Sequence, residues 1–355
     1  MDLHGGNIYK FQREGKKDIL DYSSNINPLG VPKTLIDEIS QNFSLLERYP
    51  DINYIDLRKS IGKYNKTDFE NILVGNGATE ILFLYMKALN PKKTLIVSPT
   101  FAEYERALKN TDSEISYFPL KKIEEENKKY FDFDIEDLKE KSLGFDLIVL
   151  CNPNNPTGSF VELSKIKELN EFLEQNKIKL FIDECFIEFI ANWQNKTSNI
   201  LRSKNIFILR ALTKYFALPG IRLGYGICYN KDIIDKINSI KEPWTVNAFA
   251  DLAGKIILED REYIEKTDRW IDEERRYFIS ELKKIGTIEV FETSTNFILL
   301  KLKTTTSEKF LEKMLSEGIL VRNASNFKFL DNTYVRIAIK DRNKNSIFLK
   351  KLKKI

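Results

Sequence analysis

The sequence predicts an α/β fold: a mostly parallel sheet wrapped by helices, followed by a smaller α+β C-terminal domain. Three observations carry this. From about residue 71, short β-branched runs alternate with amphipathic segments, the pattern of strands joined by helical crossovers. One run, DLIVLCNP at 146–153, is almost continuously apolar, as a strand covered on both faces must be. After about residue 250 the texture changes to a long charged helical stretch and shorter strands.

Taken in order, NILVGNG (71–77) reads as a strand ending in glycine. TEILFLYMKALN (79–90) has helical periodicity, with Thr79 placed as its cap. TLIVSP (94–99) is a strand, AEYERALKN (102–110) a helix and EISYFPL (114–120) a strand. The charge runs near 121–141 read as solvated helix faces and loops. Beyond the 146–153 strand come a helix at 164–176 and strands at 179–185, 205–212 and 224–229. One long helical stretch is expected over 250–285, then strands around 296–302 and 333–339 with two accompanying helices. The expected organisation is an N-terminal arm with part of the small domain (1–44), a large domain (45–245) and a small domain (246–355).

Composition narrows the function. Lysine and arginine number 56 against 52 aspartates and glutamates, so the net charge is only +4 in 355 residues. That excludes a bulk polybasic footprint for nucleic acid and gives no argument for a membrane surface. No apolar run approaches the roughly 20 residues of a bilayer span. The N-terminus has no apolar signal core, so a cytoplasmic protein is expected. Cys151, Cys185 and Cys228 are odd in number and far apart, giving neither a disulfide framework nor a metal knuckle. Histidine occurs once, as His4, so a zinc site or a triad built on histidine would have to use it. No metal is expected.

In a wound parallel sheet, ligands collect at the carboxyl ends of the strands. The segments there are GNGATE (75–80), SPTF (98–101), CNPNNPTG (151–158), DECF (183–186) and LRALTK (209–214). A strand-end lysine is usually a surface lysine, but Lys214 becomes a nucleophile if it is desolvated or set beside other cations. Arg222 lies in a Gly-Ile-Arg-Leu-Gly turn whose small neighbours let a guanidinium reach a phosphate. Asp183 ends an apolar strand, where a carboxylate is costly unless paired. It is either a helix cap or ion pair, or the partner of a protonated ring nitrogen. GNGAT opens a helix whose N–H groups can hold a phosphate.

In combination and order, NPNNPTG, FIDE and LTKYFALPGIRLGY resemble the fold-type-I pyridoxal-phosphate (PLP) enzymes, the aspartate-aminotransferase-like superfamily, over nearly the whole chain. The resemblance implies the PLP-dependent transferase fold, with Lys214 as the Schiff-base lysine and Asp183 holding the proton on the pyridine nitrogen. It further implies that Asn155 donates to the ring hydroxyl and that Phe101 stacks on the ring. The phosphate would be held by Ala78, Thr79, Thr213 and Arg222. Tyr49, in ERYPD, matches a tyrosine that reaches the neighbouring subunit's cofactor phosphate, which implies a homodimer. Two positions depart from the pattern: Ala211 stands where serine or threonine is common, and Phe186 where tyrosine is common.

HGGN (4–7), LDYSSNINPLG (20–30), EPWTVNAFA (242–250) and GILVRNASNF (318–327) resemble the L-threonine-O-3-phosphate decarboxylases of cobalamin biosynthesis. That branch implies a substrate carrying phosphate and carboxylate. Arg322 and Arg336 would be its clamps, in an order left open, with His4, Asn27 and Asn155 as further contacts. The alternatives are a histidinol-phosphate-type aminotransferase, which shares the core but not HGGN or PWxVN, and a decarboxylase preferring serine phosphate. A regulator using this fold as a sensor ranks last, because only about 70 residues precede the sheet and they read as an arm.

Overall fold

The computed structural model describes residues 5–15, 18–126 and 128–354. Seven strands form the main sheet: β1 Ile72–Asn76, β2 Lys93–Ser98, β3 Glu114–Pro119, β4 Leu147–Cys151, β5 Lys179–Asp183, β6 Ile206–Ala211 and β7 Leu223–Cys228. Their order is β1-β7-β6-β5-β4-β2-β3. Only β7 runs against its neighbours; the other pairings are parallel. Every residue of β4 is buried, as its unbroken apolar run requires. The crossover helix Leu163–Gln175 buries Ile166, Leu169 and Leu173, one stripe at helical spacing.

Register decides where the chemistry lies. Cys151 pairs with Asp183, and Asp183 with Leu209, so the strand ends fall on one edge of the sheet. Phe181 on β5 and Phe207 on β6 are cross-strand partners with parallel rings 5.8 Å apart, which favours that register.

A second, antiparallel sheet contains β8 Ile288–Val290, β9 Phe297–Leu302, β10 Arg322–Asn323 and β11 Tyr334–Ala338, in the order β8-β9-β11-β10. The N-terminal pair Leu20–Asp21 runs parallel to Ile319–Leu320 beside it.

Three expectations need correction. Thr79 is not the cap of its helix, which begins at Ala78 after Gly77 and has no side-chain cap. The stretch 250–285 is not one helix: Ala248–Ile256 ends in a 3-10 turn, and Arg261–Lys283 begins afresh. Asp260 makes the break, its carboxylate accepting from the Tyr263 amide at 3.0 Å as an N-cap. The charged region 121–141 contains a hairpin, Lys121–Glu125 with Lys128–Asp132, before the helix Ile135–Ser142. Lys121 pairs across the hairpin with Asp132, Glu124 with Lys129 and Glu125 with Lys128, so the strand signal is hidden inside what reads as a charge run. Among the described residues, no helix is long and apolar enough to cross a membrane.

Candidate active site

The ends of β4, β5 and β6 border a cavity of about 370 Å³, faced by Arg322, Phe327 and Arg336 of the small-sheet region and by Ser23–Asn25. Alternation along β6 sends Leu209 and Ala211 toward the cavity and Arg210 away from it. Asp183 closes the central strand. Its Oδ1 accepts from the Cys185 amide at 2.8 Å and its Oδ2 from the Tyr104 hydroxyl at 2.6 Å. Burial pushes the Asp183 carboxyl pKa up, and the carboxylate has no ion-pair partner among the described residues.

Lys214 follows β6 by three residues. Its Nζ makes no hydrogen bond or ion pair among the described residues. Burial first, then the charges of Arg336 and Arg222, pull its pKa down to about 8, against weaker support from Cys185 and Asp183. A buried amine with neighbouring cations is a nucleophile near neutral pH.

At the other end of the cavity, Gly77 precedes the helix Ala78–Leu89 without a side-chain cap. A Cβ on Gly77 would lie 2.6 Å from Arg222 Nη2, and one on Gly224 would lie 2.1 Å from the Ala78 nitrogen. The two glycines let guanidinium and helix N-terminus share one small space. Arg222 adopts φ +60°, a strained backbone for a side-chain-bearing residue. Two positive features set side by side make a site for an anion such as phosphate.

Of the three asparagines in CNPNNPTG, two brace the loop. The Asn152 amide bonds both ways with the Val161 backbone, at 2.9 and 2.8 Å. Asn154 donates to the Pro99 carbonyl at 2.9 Å and the Thr157 hydroxyl at 2.8 Å. Asn155 faces the cavity, and its Oδ1 accepts from Arg336 Nη1.

The arginines form the least expected arrangement. Arg322 on β10 and Arg336 on β11 are direct cross-strand partners, both buried. Like charges placed opposite each other destabilise a sheet. Burial, then Arg322, pull the Arg336 pKa down to about 9. Arg336 Nη2 donates to the Ser23 carbonyl at 2.8 Å, while its Nε is buried without a partner. Arg322 donates to the Asn323 carbonyl and to Asn326 Oδ1. The buried, unpartnered Arg336 Nε leaves bonding capacity for an anion.

The chain matches the family Aminotransferase class I and II over residues 17–352. It belongs to that family. A relative from Caldanaerobacter subterraneus subsp. tengcongensis, provisionally named a threonine-phosphate decarboxylase, is 43% identical over 99% of this chain and 93% of its own length. The threonine-phosphate decarboxylase of Salmonella typhimurium is 33% identical over 99% of this chain and 96% of its own. A crystal structure from Clostridium acetobutylicum, titled a histidinol-phosphate aminotransferase, is 41% identical, covers 95% of this chain and 98% of its own, and superposes with a TM-score of 0.88.

For an aminotransferase-family chain, the cavity fits pyridoxal phosphate. It offers an anion cradle that extra Cβ atoms would fill, a buried carboxylate without a cation and an unpartnered lysine. Ala78, Thr79, Phe101, Asn155, Asp183, Thr213, Lys214, Arg222, Arg322 and Arg336, all expected site residues, line this one cavity. Phe186 also lines it and packs edge-on to Phe297.

Three further expected residues are not in that set. His4 lies outside the described residues. Asn27 is corrected: its Nδ2 donates to the Tyr215 carbonyl at 2.8 Å and the Thr267 hydroxyl at 2.9 Å, and its Oδ1 accepts from the Leu29 amide. With its amide committed in this way, Asn27 does not line the cavity. Asn25, two residues earlier, does line it, with Oδ1 buried and unpartnered. Tyr49 is 77% exposed, stacks on Trp244 at 4.7 Å and is absent from this chain's cavity wall.

Tyr104 was missed from sequence. It sits three residues after Phe101, about one helical turn, so an aromatic hydroxyl at that spacing was the available signal. The SSNINP motif likewise offered two asparagines, and only the fold separates their roles.

Proposed function

We propose that this chain decarboxylates L-threonine O-3-phosphate to (R)-1-amino-2-propanol O-2-phosphate, using pyridoxal 5'-phosphate, for cobalamin biosynthesis. The observation that carries this reading is the buried cross-strand pair Arg322–Arg336 beside Lys214 and Asp183. Threonine phosphate brings two anions on one small molecule, which suits two adjacent guanidinium groups. The names of the relatives from Salmonella typhimurium and Caldanaerobacter support it.

The bound cofactor supplies an electron sink for the bond broken at the substrate α-carbon. Ala78, Thr79, Thr213 and Arg222 would hold its phosphate, Phe101 would cover its ring, and Asn155 would meet its ring hydroxyl. Lys214 would anchor it, and the Lys214 Nζ would hold the proton that the α-carbon takes up in place of CO₂. Asp183, fixed by Tyr104 and the Cys185 amide, keeps the proton on the ring nitrogen. Arg322 and Arg336 would grip the substrate's anions and so select which bond at the α-carbon breaks, while the phosphate would contribute binding energy away from the reacting bond. Asn25 supplies a further contact from the N-terminal segment. The active unit is a homodimer in which the exposed Tyr49 reaches the phosphate held by the other copy.

The relative from Clostridium acetobutylicum favours a second reading, a histidinol-phosphate-type aminotransferase. Purified protein with pyridoxal phosphate is mixed with L-threonine phosphate, with and without 2-oxoglutarate. The decarboxylase reading expects 1-amino-2-propanol phosphate and CO₂ without keto acid. Product appearing only with 2-oxoglutarate, with glutamate formed in step, establishes the aminotransferase. Faster turnover of serine phosphate keeps the chemistry and changes the substrate.

A further inference from the structure

The segment 20–27 crosses from the small-sheet region to the lysine loop, and its main-chain carbonyls are tied down in a row. Four consecutive carbonyls are taken. Tyr22 O accepts from the Ala338 amide at 2.8 Å, Ser23 O from Arg336 at 2.8 Å, Ser24 O from Lys340 Nζ at 3.2 Å and Asn25 O from Asn296 Nδ2 at 3.0 Å. Three of these donors, at 336, 338 and 340, follow the two-residue repeat of β11 and its extension. Within the segment, Asp21 Oδ1 accepts from the Ser23 amide and hydroxyl, and Asp21 Oδ2 from the Ser24 hydroxyl. At the far end, the Asn27 amide donates to the Lys214 carbonyl at 3.2 Å.

Lys340 is the costly member. Its ammonium is largely desolvated, which pulls its pKa down to about 8, and Asp21 acts on it only at longer range. Its hydrogen bond goes to a backbone carbonyl. A buried charge spent on one carbonyl is an expensive way to fix a loop unless the shape of that loop matters. Ser23, Ser24 and Asn25 line the cavity, while Lys340 does not.

We propose that residues 21–27 form a strap whose cavity-facing shape is set by Lys340, which is thereby a positioning residue for the substrate. This rests on the decarboxylase reading for the identity of the substrate, though not for the strap itself. With the Ser24 carbonyl released, Asn25 loses its fixed aim and the main chain that Arg336 grips becomes mobile. The substrate end of the cavity then weakens while the cofactor end, built on β1, β5 and β6, stays intact.

The test uses the holoenzyme and three variants. In Lys340→Met, the KM for L-threonine phosphate is expected to rise about tenfold, with kcat within about twofold and cofactor affinity unchanged, as loss of one charged hydrogen bond implies. Lys340→Arg restores a donor and should recover most of the loss. Asp21→Asn, which removes the acceptor for Ser24, should give the same pattern more weakly. Amide hydrogen exchange over 21–27 provides a readout independent of substrate, and should quicken at least tenfold in Lys340→Met. Unchanged exchange with an unchanged KM overturns the strap. An equal loss of cofactor affinity, unrescued by arginine, overturns it in favour of a general structural role. Quickened exchange in a protein whose wild type ignores threonine phosphate supports the strap and sinks the decarboxylase reading instead.

Discussion

Two sets of buried charges lie on opposite faces of the same strands. Behind β5 and β6, Arg210 meets Glu184 at 2.9 Å and Glu188 at 3.2 Å, donates to the Thr197 hydroxyl at 2.8 Å and covers the Trp193 ring. Glu184 also accepts from the Ser198 amide and the Thr197 hydroxyl. In front, Asp183, Lys214, Arg322 and Arg336 share one cavity, where two guanidinium groups oppose each other, Arg336 Nε is buried without a partner and Lys214 Nζ makes no hydrogen bond or ion pair among the described residues. In the rear cluster each charge meets an opposite one, though Glu188 Oε2 is left without a partner. In the front cluster Asp183 and Lys214 have no ion-pair partner among the described residues. Burial alone therefore does not distinguish the two sets of charge; pairing with an opposite charge inside the chain does.

The largest effect that tests this contrast is Lys214→Ala. Activity should fall by at least roughly a thousandfold, because the proposed covalent anchor and proton carrier would be lost together. Visible absorption of the bound cofactor should change with it, while the urea midpoint holds. Retained turnover would break the assignment.

Next comes a paired substitution. Arg336→Met should reduce kcat/KM on the order of a hundredfold yet shift folding stability by no more than about 1 kcal/mol, since a like-charge contact goes with it. Arg210→Met should do the reverse, costing about 3–5 kcal/mol of stability by stranding two buried acids. Equal stability losses in the two variants would erase the distinction between the faces.

Tyr104→Phe sharpens the front side. It removes one of two donors to Asp183, and a fall in kcat of about tenfold is expected, with KM nearly unchanged. Unaltered kcat would leave Tyr104 as packing.

The most gradual effect belongs to the rear cluster. Two acids share one arginine there, Glu188 Oε2 has no partner, and burial pushes the Glu188 pKa up to about 7 from 4.5. The folded state thus holds a proton that the unfolded state has already released. Stability should fall as pH rises from about 4.5 to 7, by at most roughly 1.4 kcal/mol per unit, and level off above. Glu188→Gln should flatten that slope in urea titrations.

Strand order of chemistry, from GNGAT to LTK, was legible because each motif follows an apolar run of recognisable length. Seven of the ten expected site residues in the cavity, from Ala78 to Lys214, reach it for that reason. What stayed illegible depends on side-chain direction. Asn25 and Asn27 are alike in sequence, yet one meets the cavity and the other pins Tyr215 and Thr267. The arginine pair was named as a clamp, but its cross-strand opposition comes from register between segments 14 residues apart. The hairpin at 121–132 was obscured by its charges, and the break at Asp260 by an apolar periodicity that runs through it.

The central claim is that the bond broken is the one to the carboxylate. The most direct measurement runs the holoenzyme with L-threonine phosphate in D₂O, without keto acid, and follows the α-carbon by NMR. Decarboxylation keeps the substrate's own α-hydrogen and adds one deuterium, so the aminopropanol phosphate should carry one hydrogen and one deuterium at that carbon as CO₂ appears. Loss of the α-hydrogen signal from recovered threonine phosphate, without CO₂, would contradict the account and mark the enzyme as one that breaks the C–H bond.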